Sequence, residues 1–177
     1  MDSRLQAKLE KASKTGRLDI SNLGLTSLPK FIGNITHLNC SGNKIVAILD
    51  LPETLIELDC ANNRLTFLPD LPANLEFLSC SKNKLTMIPE LPLHVSRLYG
   101  HSNPWNEQFA EFFRNLNTIV SIRSYYVAKK QAERDAEIAE IAKQAEIAKS
   151  WKTFTGKNGQ AYYANSITGE RTYDAPQ

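Results

Sequence analysis

LIELDCANNRLTFLPDLP, residues 55–72, is followed two residues later by LEFLSCSKNKLTMIPELP, residues 75–92, and the two align without a gap. Leu55, Leu58, Leu65, Leu68 and Leu71 of the first recur as Leu75, Leu78, Leu85, Ile88 and Leu91 of the second. Cys40, Cys60 and Cys80 mark one slot at intervals of twenty residues, each followed three positions on by Asn43, Asn63 or Asn83. A fixed period of this length signals stacked supersecondary units, none of which buries its apolar face alone. Such a chain builds a surface for holding something rather than a pocket for chemistry.

The alternation Leu58-x-Cys60 gives each unit a short strand with one face buried and one free. The asparagine then points inward, where its amide satisfies backbone groups left open as the chain turns off the strand. Leu68 to Pro72 and Ile88 to Pro92 supply the return path. Prolines fix an extended, donor-free backbone there, which predicts a polyproline-like convex side without helices. Five rungs can be counted. The first (Leu18, Ile20, Leu23, Leu25, Leu28, Pro29) has Leu23 in the asparagine slot, and the second runs from Ile35 through Pro52, with Ile45 and Ile48 in leucine slots. The fifth starts at Val95 and Leu98, places Gly100 in the cysteine slot and stops at Asn103-Pro104.

Parallel strands lie about 4.8 Å apart, so three in-register thiols form a line and cannot converge on one ion. An odd count cannot pair fully either. The cysteines therefore read as small buried hydrophobes, reduced, in a protein working inside a cell, in cytoplasm or nucleus. With 21 Lys and Arg against 19 Asp and Glu, the net charge is +2 and the basic residues are dispersed. No nucleic acid or membrane partner is expected. The stretch Met1 to Gln6 lacks the apolar core of an export signal, and no segment is apolar enough to span a bilayer.

The chain divides into an N-terminal capping helix at 1–16, repeats at 17–103, a C-terminal capping helix at 104–117, a long helix at 118–150 and a small module at 151–177. Ser3 is the first helix's N-cap, Leu5 and Leu9 its buried face, and Gly16 its stop. Asn103 and Pro104 read as N-cap and first helical position of the second. Trp105, Phe109, Phe112, Phe113 and Leu116 form one stripe at helical spacing. That stripe could be a partner face, but an open solenoid end directly upstream makes it a plug. Between 118 and 150 there is neither proline nor glycine. Ile119, Val120, Ile122, Tyr125 and Tyr126 are apolar enough to pack. Ala132 to Lys149 is low-complexity and rich in strong helix formers. Ile138, Ile141, Ala145 and Ala148 offer a coiled-coil seam too short for dimerisation, so a semi-rigid spacer is expected.

The last segment holds Trp151, Gly159, Tyr162-Tyr163-Ala164-Asn165, Thr172-Tyr173 and Pro176. Phe154 and Tyr162 to Asn165 are strand residues; Lys157-Asn158-Gly159 and Ser166 to Gly169 are turn material. A three-stranded antiparallel sheet this small needs an aromatic clasp. These residues and spacings resemble a WW domain. The resemblance implies a clasp of Trp151, Tyr163 and Pro176, with Asn165 pinning the second strand. It also implies a proline-rich peptide partner on the opposite face, bound in a slot of Tyr162 and Tyr173 with Ser166 and Arg171 as flanking specificity positions. Tyr173 stands where that family has its second tryptophan. Ala148-Lys149-Ser150 replaces the usual leucine-proline, so the helix runs straight into the module.

The Leu-Pro-x-Leu-Pro-x-x-Leu phrase at a twenty-residue period resembles the short leucine-rich repeats of effectors that pathogenic bacteria deliver into host cells, and similar repeats of large DNA viruses and amoebae. That resemblance covers residues 3–105 and implies a place inside a host cell. Some of those effectors carry a ubiquitin ligase with a catalytic cysteine beyond the repeats; no cysteine follows Cys80. His37, His94 and His101 belong to no catalytic phrase, and there is no phosphate loop or His-x-x-x-His pair. The chain reads as non-enzymatic, without metal or cofactor.

The resulting fold class is mixed α and β: a leucine-rich-repeat solenoid with a parallel sheet and helical caps, a long α-helix and a C-terminal antiparallel WW-like sheet. Residues flanking each inward leucine form concave-surface columns: Arg17, His37, Glu57, Phe77, Arg97; Asp19, Asn39, Asp59, Ser79, Tyr99; Ser21, Ser41, Ala61, Ser81, His101. Mixed charge beside Phe77 and Tyr99 is expected to bind a protein partner. Two functions fit: an adaptor joining a protein and a proline-rich segment, or a structural scaffold component in which both modules make fixed interfaces.

Overall fold

The computed structural model describes residues 3–30, 34–114, 118–157 and 159–173, divided into two units, Met1–Tyr126 and Val127–Gln177. In the first unit, β1 (Arg17–Asp19), β2 (His37–Asn39), β3 (Glu57–Asp59), β4 (Phe77–Ser79) and β5 (Arg97–Tyr99) form one parallel sheet in chain order. Each strand pairs with the next at an offset of twenty, Leu38↔Leu58 and Leu58↔Leu78 among them. The middle leucines of β1 to β4 are buried, as are Cys40, Cys60 and Cys80. Strands of three residues carry few ladder bonds, so the continuous apolar core does most of the holding. The proline-bearing return paths contain no helix among the described residues. Each closes on a turn, Leu55 N–H to Pro52 O at 3.0 Å and Leu75 N–H to Pro72 O at 3.0 Å.

The asparagines stitch each rung to the one before it. Asn63 Oδ1 accepts from Ile45 N at 3.0 Å, while Nδ2 donates to Cys40 O and Cys60 O at 3.0 and 3.1 Å. Asn43 and Asn83 repeat the pattern one rung back and one rung on. The first rung has no predecessor to complete, which is why Leu23 can stand in its asparagine slot. Each rung also leaves its strand through one residue of positive φ: Asn22, Gly42, Asn62, Lys82 and Ser102, at 54° to 68°.

α1 (Ser3–Thr15) buries Leu5, Leu9 and Ala12 beside β1. It stops at Gly16, whose φ of 68° suits glycine and whose N–H reaches Ala12 O at 2.8 Å. At the far end the expected helix start needs correction. α2 spans Glu107–Arg114, and Asn106 is its cap, with Oδ1 accepting from Phe109 N at 2.9 Å. Asn103 is instead the last stitch. Its Oδ1 accepts from Asn83 N and Leu85 N at 3.1 Å, and its Nδ2 donates to Cys80 O and Gly100 O at 3.0 Å. Phe109 is buried, and Trp105 stacks on Phe113 with centroids 4.6 Å apart. A Cβ at Gly100 would collide with the Phe113 ring, so the cysteine of earlier rungs cannot occur there. Leu116 lies outside the described residues.

α3 (Thr118–Lys149) begins in the first unit. There the apolar first part packs, with Ile122 and Tyr126 buried. Tyr126 Oη donates to Ile88 O at 2.6 Å, and Arg123 Nη2 to Pro92 O, Leu93 O and Val95 O at 2.6, 2.8 and 3.0 Å.

In the second unit the rest of α3 leaves Ile138 and Ile141 exposed. β6 (Trp151–Thr155), β7 (Ala161–Asn165) and β8 (Arg171–Thr172) form an antiparallel sheet. Asn165 is buried; its Nδ2 donates to Ile147 O in the last turn of α3 at 2.8 Å, and its Oδ1 accepts from Ile167 N and Thr168 N. One amide thus ties the helix end to the turn after β7. Asn158 and Pro176 lie outside the described residues.

Candidate binding surfaces

On the sheet of the first unit, residues on either side of each central leucine are half-buried or exposed. The first column, Arg17, His37, Glu57, Phe77 and Arg97, runs in register across all strands. Arg97 reaches back over two rungs. Its guanidinium lies 4.9 Å above the Phe77 ring, and Nη2 meets Glu57 Oε1 at 3.2 Å. The other Glu57 oxygen is 3.7 Å from His37 Nε2, and His37 Nδ1 is 2.9 Å from Thr36 Oγ1. Tyr99, 51% exposed, lies 5.8 Å from Phe77. Exposed pairs of this kind add little stability; their effect is to hold long side chains in one arrangement.

The second column splits. Asn39 Oδ1 accepts from Ser41 N and Oγ at 3.0 and 2.7 Å, and Asp59 Oδ1 from Ala61 N at 3.0 Å. Asp19 repeats this with Ser21, and those two hydrogen bonds lower its pKa below the ordinary value. These carboxylate and amide groups cap turns, whereas the Tyr99 ring stands exposed beside Phe77. His101 Nδ1 sits 2.9 Å from Ser81 Oγ. The structure therefore brings His37, Glu57, Phe77, Arg97 and Tyr99 into one chain of contacts. Asn39, Asp59 and His101 are engaged in the turns beside it. Arg17 lines a groove of about 570 Å³ together with Lys8 and Lys11 of α1, Asp19, His37, Asn39 and Glu57. Those two lysines were not among the sequence candidates; their i, i+3 spacing on the capping helix was the available signal.

Behind this face all three thiols are free and buried. Burial pushes Cys40 and Cys80 up to about 12 and Cys60 well above its ordinary value. A buried protonated thiol is neither nucleophile nor metal ligand. Among the described residues, no three His, Cys, Asp or Glu side chains form a metal-holding group.

In the second unit, Phe154 pairs with Tyr162, and their rings stack at 5.6 Å. Tyr173, 70% exposed, lies 6.4 Å from Tyr162 at 60°, and the Arg171 guanidinium is 5.8 Å over the Tyr162 ring. Trp151 and Tyr163 are half-buried on the other face, by strand alternation. Ser166 is separate from the rings: its N–H and Oγ both donate to Ser150 O at 3.2 Å. Phe154, which sequence reading treated only as strand, joins this group of rings.

Residues 54–75 match the family model "Leucine Rich Repeat". Over 51% of its length the chain is 41% identical to YopM from Yersinia enterocolitica WA-314, with a TM-score of 0.50, and spans 20% of that chain. A Shigella effector leucine-rich-repeat domain is 33% identical over 56% of this chain, with a TM-score of 0.54, and 47% of it is covered. The chain thus spans less than half of either relative. None of the curated proteins compared with it matches. The repeats are similar to the leucine-rich repeats of these bacterial proteins. No helix among the described residues is long and apolar enough to cross a membrane.

Proposed function

We propose that the chain is a non-enzymatic interaction protein working inside a cell, host cells included. In this reading the solenoid's concave face binds a protein partner, and the C-terminal sheet binds a proline-rich segment. The observation that carries it is the Glu57–Arg97–Phe77–Tyr99 arrangement, an aromatic pair and a placed guanidinium on a free sheet face. Aromatic and arginine side chains held in place are what binding hot spots are made of. The similarity to effector repeats supports the cellular setting. The Tyr162 and Tyr173 rings, set at 60°, support the proline slot, since an angled pair can take a proline ring between them.

The test uses the full chain. Twelve-residue peptides selected from a random library should bind saturably, and Phe77→Ala with Tyr99→Ala should remove that binding without shifting the melt. PPLP- and PPxY-type peptides should bind separately and be lost on Tyr162→Ala. Library peptides indifferent to the Phe77 and Tyr99 changes would refute the concave assignment. The second reading, a scaffold component with fixed interfaces, is favoured by the Asn165 bond to Ile147 O, which fastens the sheet to its helix. It predicts that no free proline peptide binds.

A further inference from the structure

The strand register of the C-terminal sheet places two rows of side chains on one face. Lys152 lies opposite Ala164, and Ala164 opposite Arg171. Two residues along each strand, on the same side, stand Phe154, Tyr162 and Tyr173. An aromatic row therefore runs beside a basic row, separated by about 6.6 Å, two residues of extended chain. Within the basic row the middle residue is the small Ala164. Arg171 joins the rows, since its guanidinium also reaches over the Tyr162 ring. Among the described residues neither Lys152 nor Arg171 forms an ion pair with a carboxylate.

We propose that this face selects proline-containing segments that carry an aspartate or glutamate within one or two residues of the proline seated between Tyr162 and Tyr173. The inference rests on the proline-slot reading above and names what stands beside the proline. The seated ring fixes the segment's position, and a polyproline-like backbone advances about 3.1 Å per residue. A carboxylate two residues away therefore arrives over the basic row. Arginine can accept it with two parallel hydrogen bonds, and the lysine supplies a second charge. Single-stranded nucleic acid fits less well. Its bases need flat stacking platforms and a longer cationic track, whereas Tyr162 and Tyr173 are angled at 60° and the row holds two cations.

The experiment is fluorescence polarisation on the full chain with labelled ten-residue peptides sharing a PPLP core, flanked by Asp, Asn, Lys or phosphoserine. An oligonucleotide of equal length is run alongside. The Asp-flanked peptide should bind roughly three- to tenfold tighter than the Asn-flanked one at low salt, and the gap should close near about 0.5 M salt. Lys152→Gln should narrow the gap while leaving the Asn-flanked affinity unchanged; Arg171→Gln should narrow it too and, because its guanidinium also lies over the Tyr162 ring, should weaken both peptides. Equal binding of Asp- and Asn-flanked peptides would overturn the acidic preference and leave the slot standing. Absence of binding by every proline peptide would overturn the slot itself. Tighter binding of the phosphoserine peptide, or of the oligonucleotide, than of the Asp-flanked peptide would show a phosphate-reading face and overturn the proposal.

Discussion

Replacing Asn63 by alanine tests the stitching of the solenoid. Ile45 N–H is buried and donates to Asn63 Oδ1 at 3.0 Å; truncation orphans it at about 1–3 kcal/mol. The two carbonyls fare better. Cys40 O keeps Asn43 Nδ2 at 2.8 Å, and Cys60 O keeps Asn83 Nδ2 at 3.0 Å, so each loses only its second donor, about 0.5 kcal/mol apiece. The sum is about 2–4 kcal/mol. Urea unfolding followed by Trp105 fluorescence, in a Trp151→Phe background, measures it. Asn63→Asp sharpens the test, because it keeps the acceptor but aims a negative charge at two carbonyls. Its folded-state pKa must then lie above the unfolded value of about 3.9. The added penalty is absent below that pH and grows as pH rises through it, so the variant should approach wild type at about pH 4 and fall away by pH 7. A loss under about 0.5 kcal/mol for Asn63→Ala, the range of ordinary surface changes, would refute the argument.

Gly100→Ala should destabilise the first unit by about 1–3 kcal/mol in a thermal melt, because its methyl enters the Phe113 ring. With all three thiols buried and their pKa values raised, native protein at about pH 8 should leave Ellman's reagent colourless, and denaturant should release all three. Arg123→Met should cost about 1–3 kcal/mol of first-unit stability, since three carbonyls lose a cationic donor; an unchanged melt would show those carbonyls content with water. Tyr173→Trp enlarges an already exposed ring and should tighten proline-peptide binding by about 0.5–1 kcal/mol, read by titration.

The repeat made much of this legible, because one register assigns a place to every twentieth residue. The inward leucines, the cysteines and the columns around Glu57 follow from it without knowledge of any contact. Asn103 shows how a local rule competes with a periodic one. Asn-Pro before an aromatic stripe is a good helix start, yet 43, 63, 83 and 103 form an arithmetic series, and the buried amide slot decides. Arg123 had no such signal, since its three acceptors are turn carbonyls about thirty residues away that carry no side-chain signature. Phe154 required the β6–β7 register, which depends on a turn whose length composition alone does not determine.

The backward reach of each asparagine gives the solenoid a direction in time as well as in space. A rung leaving the ribosome cannot satisfy its own interior N–H groups; they wait for the amide about twenty residues downstream. Every nascent intermediate therefore ends in an unfinished turn, and each new turn completes the one already made. A chain stopped between rungs would expose that unmet backbone, whereas removal of one whole twenty-residue segment rejoins like to like. Gain or loss of complete rungs is then a natural step of variation for this fold, and the length of the sheet face can change while the two ends that close it stay as they are.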